Sequence, residues 1–391
     1  MLMIEDAKGL NVSKIHFVGH SLGAHLGGAV GSWLITHSHE KLARISGLDP
    51  AQPYFQNYPP DARLDREDAE LVDVIHTDAK PLLHGGSITG LGTIEPSGHV
   101  DFYPNNGKDQ PGCKDGVYQS ILQEDGSLIS GLKRFIGCDH IRAYEYFTES
   151  IRSPCSFMSF ACSSYDDFIS SSCNLSCSSN NDSCNFMGFH SKKPEGSEHP
   201  IQTWHDGLNN TKTADGSVLY YSVTGPRIPY CREHYLITLK LAGIPSMRTS
   251  YNFHIVIFGN KRLVRILRLG ERNFRGGLTY KFVIGGPPLD FEFDKAILKP
   301  ASTNPIWWFV SRMAQTTPDI MFSSVSITSL ERSAETILCP EGMPFLNLSD
   351  RNPHVLLTSG ACNIPTTLPF NPTYPSAAEN NLPYITPSHL L

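Results

Sequence analysis

The chain has 391 residues, 40% of them hydrophobic and 18% charged, which suits a globular protein with room for two domains. Its net charge of −6 gives no electrostatic basis for binding nucleic acid. No apolar run reaches membrane-spanning length, and residues 1–8 lack the basic start and apolar stretch of a signal peptide.

The first pattern along the chain is a short strand, a serine between glycines, and a helix. Residues 14–18 predict a buried strand, residues 19–23 read Gly-His-Ser-Leu-Gly, and residues 24–34 predict a helix. We expect one side of this helix to carry its large apolar residues, which are Leu22, Leu26, Val30, Trp33 and Leu34. Strand, sharp turn and helix form the setting of a nucleophile elbow, so Ser21 is a candidate nucleophile, although such serines also occur in ordinary turns.

Residues 43–48 and 71–76 predict two further buried strands. Together with the intervening helix, they indicate an α/β domain with a parallel sheet. Residues 141–151 predict a helix, and residues 155–217 are rich in loop-forming residues.

From about residue 230 the pattern changes to the alternation of an all-β sandwich. We place the boundary at Gly225-Pro226, giving an α/β domain over 1–225 and a β-sandwich over 226–362. Residues 363–391 contain six prolines and no apolar period, and we expect this tail to be disordered.

A nucleophilic serine needs a histidine as base and an acid that orients the histidine. Asp49 directly follows a predicted strand and precedes Pro50, which suits the acid, although a turn or helix-capping aspartate would look the same. Position alone does not choose the base among four histidines, which are His76, His84, His99 and His140.

The chain contains ten cysteines, and crosslinks explain them better than zinc because Cys173 and Cys177 lack a matching second pair. Five glycosylation sequons point the same way, at Asn11, Asn174, Asn181, Asn209 and Asn347. Together these features favour an oxidising, extracellular setting.

Four motifs resemble the pancreatic lipase family, in the right order and at compatible spacing. They are residues 19–25 (GHSLGAH), 47–51 (GLDPA), 98–105 (GHVDFYPN) and 138–142 (CDHIR). The resemblance, which runs from about residue 10 to Cys362, implies an α/β-hydrolase domain in which Ser21 is the nucleophile, Asp49 the acid and His140 the base. It also implies that the backbone N–H of Leu22 is an oxyanion donor.

The same resemblance implies a set of disulfides. Cys113 and Cys138 would close a lid over the active site, although an ordinary crosslinked loop is the simpler alternative. The other implied pairs are Cys162–Cys173, Cys177–Cys184 and Cys339–Cys362. Cys155 and Cys231 are left, either paired with each other or free.

The segment 60–68 resembles the calcium loop of the family. The resemblance implies a structural Ca²⁺ held by the carbonyls of Pro60 and Arg63 and the carboxylates of Asp65 and Asp68, which are hard oxygen ligands. Residues 226–362 resemble the PLAT-type sandwich of these lipases, which contacts lipid and protein partners. Residues 306–309 (Ile-Trp-Trp-Phe) would either touch a lipid surface or, as we favour, form a buried strand.

The resemblance predicts an interfacial carboxylester hydrolase that cleaves triacylglycerol at a lipid–water interface. The alternatives are a phospholipase A1 or a lipid-binding family member without activity. The implied setting is secreted, and a colipase-like protein is a possible partner. Because the family places about a hundred residues before the elbow, we expect the chain to be N-terminally truncated, to lack the signal peptide and second oxyanion donor, and to be insoluble or inactive as given.

Overall fold

The computed structural model describes residues 11–81, 83–84, 87–88, 90–113, 128–177, 182–194, 216–242, 249–258, 264–289, 293–300, 320–341, 345–346, 354–360 and 362. Its first nine strands are β1 (His16–His20), β2 (Leu42–Leu48), β3 (Ala69–Ile75), β4 (Leu83–His84), β5 (Ser87–Ile88), β6 (Val100–Pro104), β7 (Met158–Ala161), β8 (Cys184–Phe186) and β9 (Val218–Ser222). The helices are α1 (Leu22–Ser38), α2 (Leu128–Ser150) and α3 (Tyr165–Ile169).

Seven of these strands form one mixed sheet in the order β1-β2-β3-β6-β9-β7-β8, while β4 and β5 form a separate hairpin. The pairs from β1 through β9 are parallel, and β7 runs antiparallel to both β9 and β8. This confirms the parallel α/β sheet expected from the sequence. Because parallel strands end at one edge of a sheet, the residues after β1, β2 and β3 are brought together.

Helices α1 and α2 cover opposite faces of this sheet. Ala24 and Leu34 of α1 share a buried cluster with Val72 and Val74 of β3. Ile75 of β3 lies in a second cluster with α2 side chains, Ala143, Tyr146 and Phe147. Since successive side chains of a strand point to opposite faces, the two clusters lie on either side of β3.

The prediction that the large apolar residues of α1 share one buried side is wrong. Leu22, Leu26 and Trp33 are 63%, 60% and 45% exposed, respectively. The buried residues of this helix are mostly small, namely Ala24, His25, Gly27, Gly28, Gly31 and Leu34. Small side chains let the helix axis approach its neighbours closely, and at Gly31 an added Cβ would lie 2.2 Å from the carbonyl oxygen of Asp68.

The helix predicted over residues 141–151 corresponds to the second half of α2, which begins much earlier, at Leu128, and ends at Ser150. The backbone of Gly137 inside it is non-helical, with φ −113° and ψ 15°. A break at this point means that the orientation of the following turn, which carries His140, depends on contacts outside the helix.

The remaining strands form a second, nine-stranded sheet: β10 (Glu233–Ala242), β11 (Thr249–Phe258), β12 (Val264–Phe274), β13 (Thr279–Gly286), β14 (Lys295–Pro300), β15 (Ile320–Ser329), β16 (Glu335–Pro340), β17 (Phe345–Leu346) and β18 (Val355–Ser359). Its order is β12-β11-β14-β18-β16-β15-β10-β13, with β17 on β15, and every pair is antiparallel. One buried core draws residues from eight of these strands, from Tyr235 on β10 to Leu357 on β18, as expected for a sheet folded over itself.

Gly225-Pro226, the expected domain boundary, lies between β9, a strand of the first sheet, and β10, a strand of the second. The two sheets meet in a small apolar cluster that joins Tyr103, Phe160 and Tyr221 of the first sheet to Val283 of β13.

Among the described residues, no helix is both long enough and apolar enough to cross a membrane.

The close approach at Gly31 gives a stability prediction. Gly31→Ala is expected to destabilise the protein by about 1–3 kcal/mol, because the new methyl group must displace the Asp68 backbone. Gly23→Ala in the same helix, where a Cβ meets nothing within 4 Å, is expected to be neutral or to stabilise by up to about 1 kcal/mol. Denaturant unfolding of both variants checks this, and equal midpoints would contradict it.

Candidate active site

Ser21 stands on a strained turn between β1 and α1. Its backbone has φ 57° and ψ −121°, outside the ordinary regions for a residue with a side chain. The turn is held on both sides, because the Ser21 N–H donates to the Leu48 carbonyl at 3.0 Å and the Ser21 carbonyl accepts from Ala24 N–H at 3.1 Å. A Cβ on Gly19 would lie 2.1 Å from the Gly23 carbonyl oxygen, so this turn requires a glycine there.

Asp49 is the first residue after β2 and is fully buried. Its carboxylate accepts hydrogen bonds from the backbone N–H groups of Thr77 and Asp78 to Oδ1, at 2.7 and 3.1 Å. Both donors come directly after β3, one strand along the sheet. Backbone donors to one oxygen leave the other oxygen, Oδ2, facing His140.

His140 lies one turn after the Gly137 break in α2. Its Nδ1 is 2.6 Å from Asp49 Oδ2, and since an ionised carboxylate only accepts, Nδ1 carries the proton and donates. This tautomer leaves Nε2 unprotonated, which is the form that a general base requires.

Position along the chain left four histidines as candidates for the base, and the resemblance implied His140. The structure gives the side-chain partners of three of the four. His76 is fully buried between Asp101 Oδ1 at 2.8 Å and the Thr93 carbonyl at 2.7 Å, and its ring stacks on Tyr103. His99 accepts from Val72 N–H through Nδ1 at 3.0 Å, and burial lowers the pKa of its imidazole to about 3. Of these three, His140 is the one bonded to Asp49; the side chain of His84 lies outside the described residues.

His20 connects the elbow to the His140 segment. Its Nε2 donates to the His140 carbonyl at 2.9 Å, and the two rings lie 4.5 Å apart between centroids. Burial lowers the pKa of His20, which favours the neutral ring at neutral pH. Because His20 is the residue before Ser21, this bond holds the elbow against the segment that carries His140.

Three charged residues behind the Asp49–His140 pair were not singled out from the sequence. Lys80 Nζ lies 2.6 Å from Asp139 Oδ2 and 3.1 Å from Asp78 Oδ1. Burial raises the pKa of Asp78 to about 6, while the Lys80 charge opposes that rise. The available signal was the run of polar residues directly after β3, since such positions gather at one edge of a parallel sheet.

The residues expected to hold calcium lie on two short turns, residues 60–62 and 66–68. Asp68 Oδ2 accepts from Asp65 N–H at 2.8 Å, and Asp65 Oδ1 accepts from Glu67 N–H at 3.0 Å. The carbonyl of Pro60 accepts from Arg63 N–H at 3.2 Å. These hydrogen bonds, each between residues two or three positions apart, hold the two turns in a compact conformation.

The surroundings of Asp68 show whether the four expected calcium-binding residues suit a cation. Asp68 is 6% exposed, burial raises the pKa of its carboxyl to about 7, and no described Lys, Arg or His forms an ion pair with it. The charges of Asp65 and Glu67 raise the pKa of this carboxyl further, and the Lys41 charge opposes that rise. Burying a carboxylate is costly, and a divalent cation would lower that cost. The residues present therefore fit a calcium ion.

The ten cysteines form five disulfides: Cys113–Cys138, Cys155–Cys231, Cys162–Cys173, Cys177–Cys184 and Cys339–Cys362. The partners of Cys155 and Cys231, which the sequence left open, are thus each other. The buried Arg142 donates to the Pro111 carbonyl at 3.1 Å and approaches the Cys113 and Cys138 sulfurs, so the ends of the expected lid are fixed to α2. Residues 114–127 of that lid, residues 306–309 and the tail 363–391 lie outside the described residues.

The sequence model of the family named Lipase matches residues 1–205, slightly more than half of the chain. The chain belongs to the pancreatic lipase family. Family membership implies an α/β-hydrolase fold for the part that contains the first sheet.

The individual relatives include a triacylglycerol lipase and a lipase-related protein that is named as inactive. Pancreatic triacylglycerol lipase of Equus caballus is 35% identical over 68% of this chain and 52% of its own length. Pancreatic lipase-related protein 3 of Homo sapiens is 39% identical, over 70% of this chain and 52% of that protein. Inactive pancreatic lipase-related protein 1 of Canis lupus familiaris is 35% identical, over 75% and 51%. The chain thus spans about half the length of the curated relatives that it matches.

Proposed function

We propose that this lipase-family chain carries the catalytic residues of an interfacial carboxylester hydrolase that cleaves triacylglycerol. The observation that carries the proposal is the 2.6 Å hydrogen bond between His140 Nδ1 and Asp49 Oδ2. Asp49 directly follows Leu48, whose carbonyl accepts from the N–H of Ser21 on the strained strand-to-helix turn. The pair combines a buried acid with a histidine in the tautomer of a base, which is the arrangement that activates a serine hydroxyl.

In the proposed reaction, Ser21 Oγ attacks the ester carbonyl carbon while its proton passes to His140 Nε2. Asp49 stabilises the imidazolium that forms, and the backbone N–H of Leu22 donates to the developing oxyanion. His140 then gives the proton to the departing alcohol oxygen, leaving an acyl group on Ser21. Water, deprotonated by the same nitrogen, hydrolyses that ester and regenerates the serine.

Triacylglycerol is preferred over phospholipid as the proposed substrate because two loops near the site are long. The Cys113–Cys138 disulfide closes a loop across 25 positions, and the loop over residues 77–98 lies between β3 and β6. Phospholipases A1 of this family have shorter lids, so a phospholipase A1 is the second candidate. The resemblance to an inactive relative makes a lipid-binding protein without turnover the third.

We further propose that residues 226–362 act as a PLAT-type sandwich that contacts the lipid surface, and that the protein works outside the cell. The first point is supported by an antiparallel sheet of nine strands around one core. The second is supported by five disulfides and by the exposed positions of two sequon asparagines, Asn11 and Asn174.

We also propose a structural calcium ion held by the carbonyls of Pro60 and Arg63 and the carboxylates of Asp65 and Asp68. When bound, the ion supplies positive charge to a buried carboxylate whose pKa is raised by burial and by the nearby Asp65 and Glu67 charges. Asp68 also packs against α1, where its Oδ2 would lie 2.8 Å from a Cβ on Gly28. Neutralising Asp68 therefore stabilises the contact between this segment and the helix that begins at the elbow.

Hydrolysis of tributyrin emulsions tests the proposed activity. The sequence-based expectation was an insoluble or inactive chain, whereas the proposed function predicts that the chain releases butyrate, so this assay decides between them. Ser21→Ala and His140→Ala are expected to abolish the release, and Asp49→Asn to lower kcat by about 10⁴-fold because the histidine loses its orienting acceptor. Titration of released acid gives the rates.

His99→Gln is the matched control, since it changes another buried histidine of the same sheet but leaves the Asp49–His140 pair intact. It is expected to retain activity. Release that is equal in Ser21→Ala and the parent chain, or no release at all, would contradict the proposal. Faster turnover of phosphatidylcholine vesicles than of tributyrin would favour the phospholipase A1 alternative.

The calcium proposal predicts a pH-dependent stability. Without divalent cation, folded Asp68 keeps its proton up to about pH 7, whereas the unfolded chain releases it near pH 4, so this group makes the protein less stable as pH rises through that window. Calcium requires the ionised carboxylate and is expected to raise the Tm more at pH 8 than at pH 5. At a concentration 100 times Kd the gain is about 2.7 kcal/mol.

Asp68→Asn is expected to abolish both the calcium effect and this part of the pH dependence. Glu67→Gln removes a neighbouring, exposed carboxylate and is expected to preserve both. Thermal unfolding in EDTA and in calcium provides the measurement, and a calcium response that survives in Asp68→Asn would place the ion elsewhere.

A further inference from the structure

Lys80 is surrounded by carboxylates from three separate segments of the chain. Its Nζ lies 2.6 Å from Asp139 Oδ2, 3.1 Å from Asp78 Oδ1 and 3.7 Å from Asp109 Oδ1. The side chain of Lys80 is only 22% exposed, so these interactions are less screened than those of a surface lysine. Asp78 follows β3, Asp109 follows β6, and Asp139 lies in α2.

Two of these carboxylates are directly connected to the catalytic pair. The backbone N–H of Asp78 donates to Asp49 Oδ1 at 3.1 Å. Asp139 is the residue before His140, whose Nδ1 donates to Asp49 Oδ2 at 2.6 Å. Lys80 thus closes a ring of contacts that runs from Asp49 through Asp78, Lys80 and Asp139 to His140 and back to Asp49.

The His140 segment needs such an anchor because α2 is broken at Gly137. Asp139 is held through both of its oxygens, by Lys80 at Oδ2 and by the backbone N–H of Gln110 at Oδ1, 2.7 Å away. Releasing one of these bonds would let Asp139, and with it the backbone of His140, shift relative to Asp49.

The charges of this cluster favour the same arrangement. Burial lowers the pKa of the Lys80 ammonium, but its hydrogen bond to Asp139 and the nearby charges more than offset this, so the pKa lies above its ordinary value. Lys80 therefore stays positive at neutral pH. It supplies a counter-charge to Asp78, Asp109 and Asp139, which would otherwise repel one another and the buried Asp49 carboxylate.

We propose that Lys80 is a positioning residue for the acyl-transfer reaction, holding the His140 segment against the segment that cradles Asp49. This inference rests on the proposed function for its kinetic consequence, while the placement of His140 that it describes can be measured without turnover. Lys80 is assigned no contact with substrate, so its effect is expected in kcat and not in KM.

The kinetic test compares Lys80→Met with Lys80→Arg. A displacement of His140 by about 1 Å is expected to lower kcat by up to about 100-fold, with little change in KM. Lys80→Arg keeps a donor that can reach both Asp78 and Asp139, and is expected to recover most of the loss. Asp139→Asn is expected to lower kcat as well, and the Lys80→Met/Asp139→Asn double variant to be no slower than the slower single variant.

Arg44→Met is the matched control for loss of a buried ion pair. Arg44 lies 2.7 Å from Asp73 on the same sheet, five residues before Asp49. Its loss is expected to lower the Tm and leave kcat unchanged, whereas Lys80→Met lowers kcat. If both variants changed Tm and kcat in proportion, Lys80 would be a merely structural residue.

A second measurement keeps this test separate from the proposed activity. A histidine N–H bonded to a carboxylate gives a strongly downfield proton resonance, which ¹⁵N-histidine labelling and His140→Gln assign to His140. The signal is expected in the parent chain, Lys80→Arg and Arg44→Met, and to be lost or shifted upfield in Lys80→Met. If the parent chain hydrolyses nothing, the proposed function fails and this signal still decides the role of Lys80. An unchanged signal in Lys80→Met would overturn the inference, as would an unchanged kcat in an active parent.

Discussion

A fully buried carboxylate, that of Asp49, is the constraint around which the first sheet is arranged. An ionised group without solvent must receive hydrogen bonds from the protein, or its burial would be prohibitively costly. Asp49 receives them from Thr77 and Asp78 after β3 and from His140 in α2. One side chain therefore connects three segments that are far apart in sequence, and the geometry of the candidate site follows from its hydrogen bonds.

The turn at Ser21 depends on glycines, whose missing side chains leave room for close backbone contacts. Ser21 adopts its strained backbone because Gly19 leaves room for the Gly23 carbonyl, and because β2 accepts the Ser21 N–H. Helix α1 then approaches the 66–68 turn through Gly28 and Gly31. Strain at the elbow is thus supported by close packing further along the same helix, where larger residues would push α1 outward.

The second sheet is joined to the first by polar and covalent contacts as well as by the apolar cluster at Val283. Glu149, near the end of α2, accepts from the backbone N–H groups of Tyr230 and Cys231, at 2.8 and 2.9 Å. Cys231 is crosslinked to Cys155, just beyond α2. The helix that carries His140 therefore contacts the linker through which the chain passes from β9 to β10, so the position of His140 is connected to the junction between the sheets.

The local patterns predicted the strands and the elbow well, and the long-range partners poorly. Apolar runs placed β1, β2 and β3, and the alternation from about residue 230 indicated the strands of the second sheet, because strand side chains repeat every two residues. The apolar side of α1 was wrong, because the glycine and alanine residues that face the sheet carry little hydrophobic signal. The cysteine count indicated crosslinks, whereas the bond between Cys155 and Cys231, 76 positions apart, needed the fold.

By itself, the sequence determined the candidate nucleophile, its strand–turn–helix setting and the family, because these depend on residues that are adjacent in the chain. The resemblance implied that His140 is the partner of Asp49, but only the tertiary structure shows the contact, because the fold brings different partners to His76, His99 and His140. The same holds for Lys80. Its partners Asp78, Asp109 and Asp139 are up to 59 positions away, and Coulombic interactions act through distance in space and not through separation along the chain.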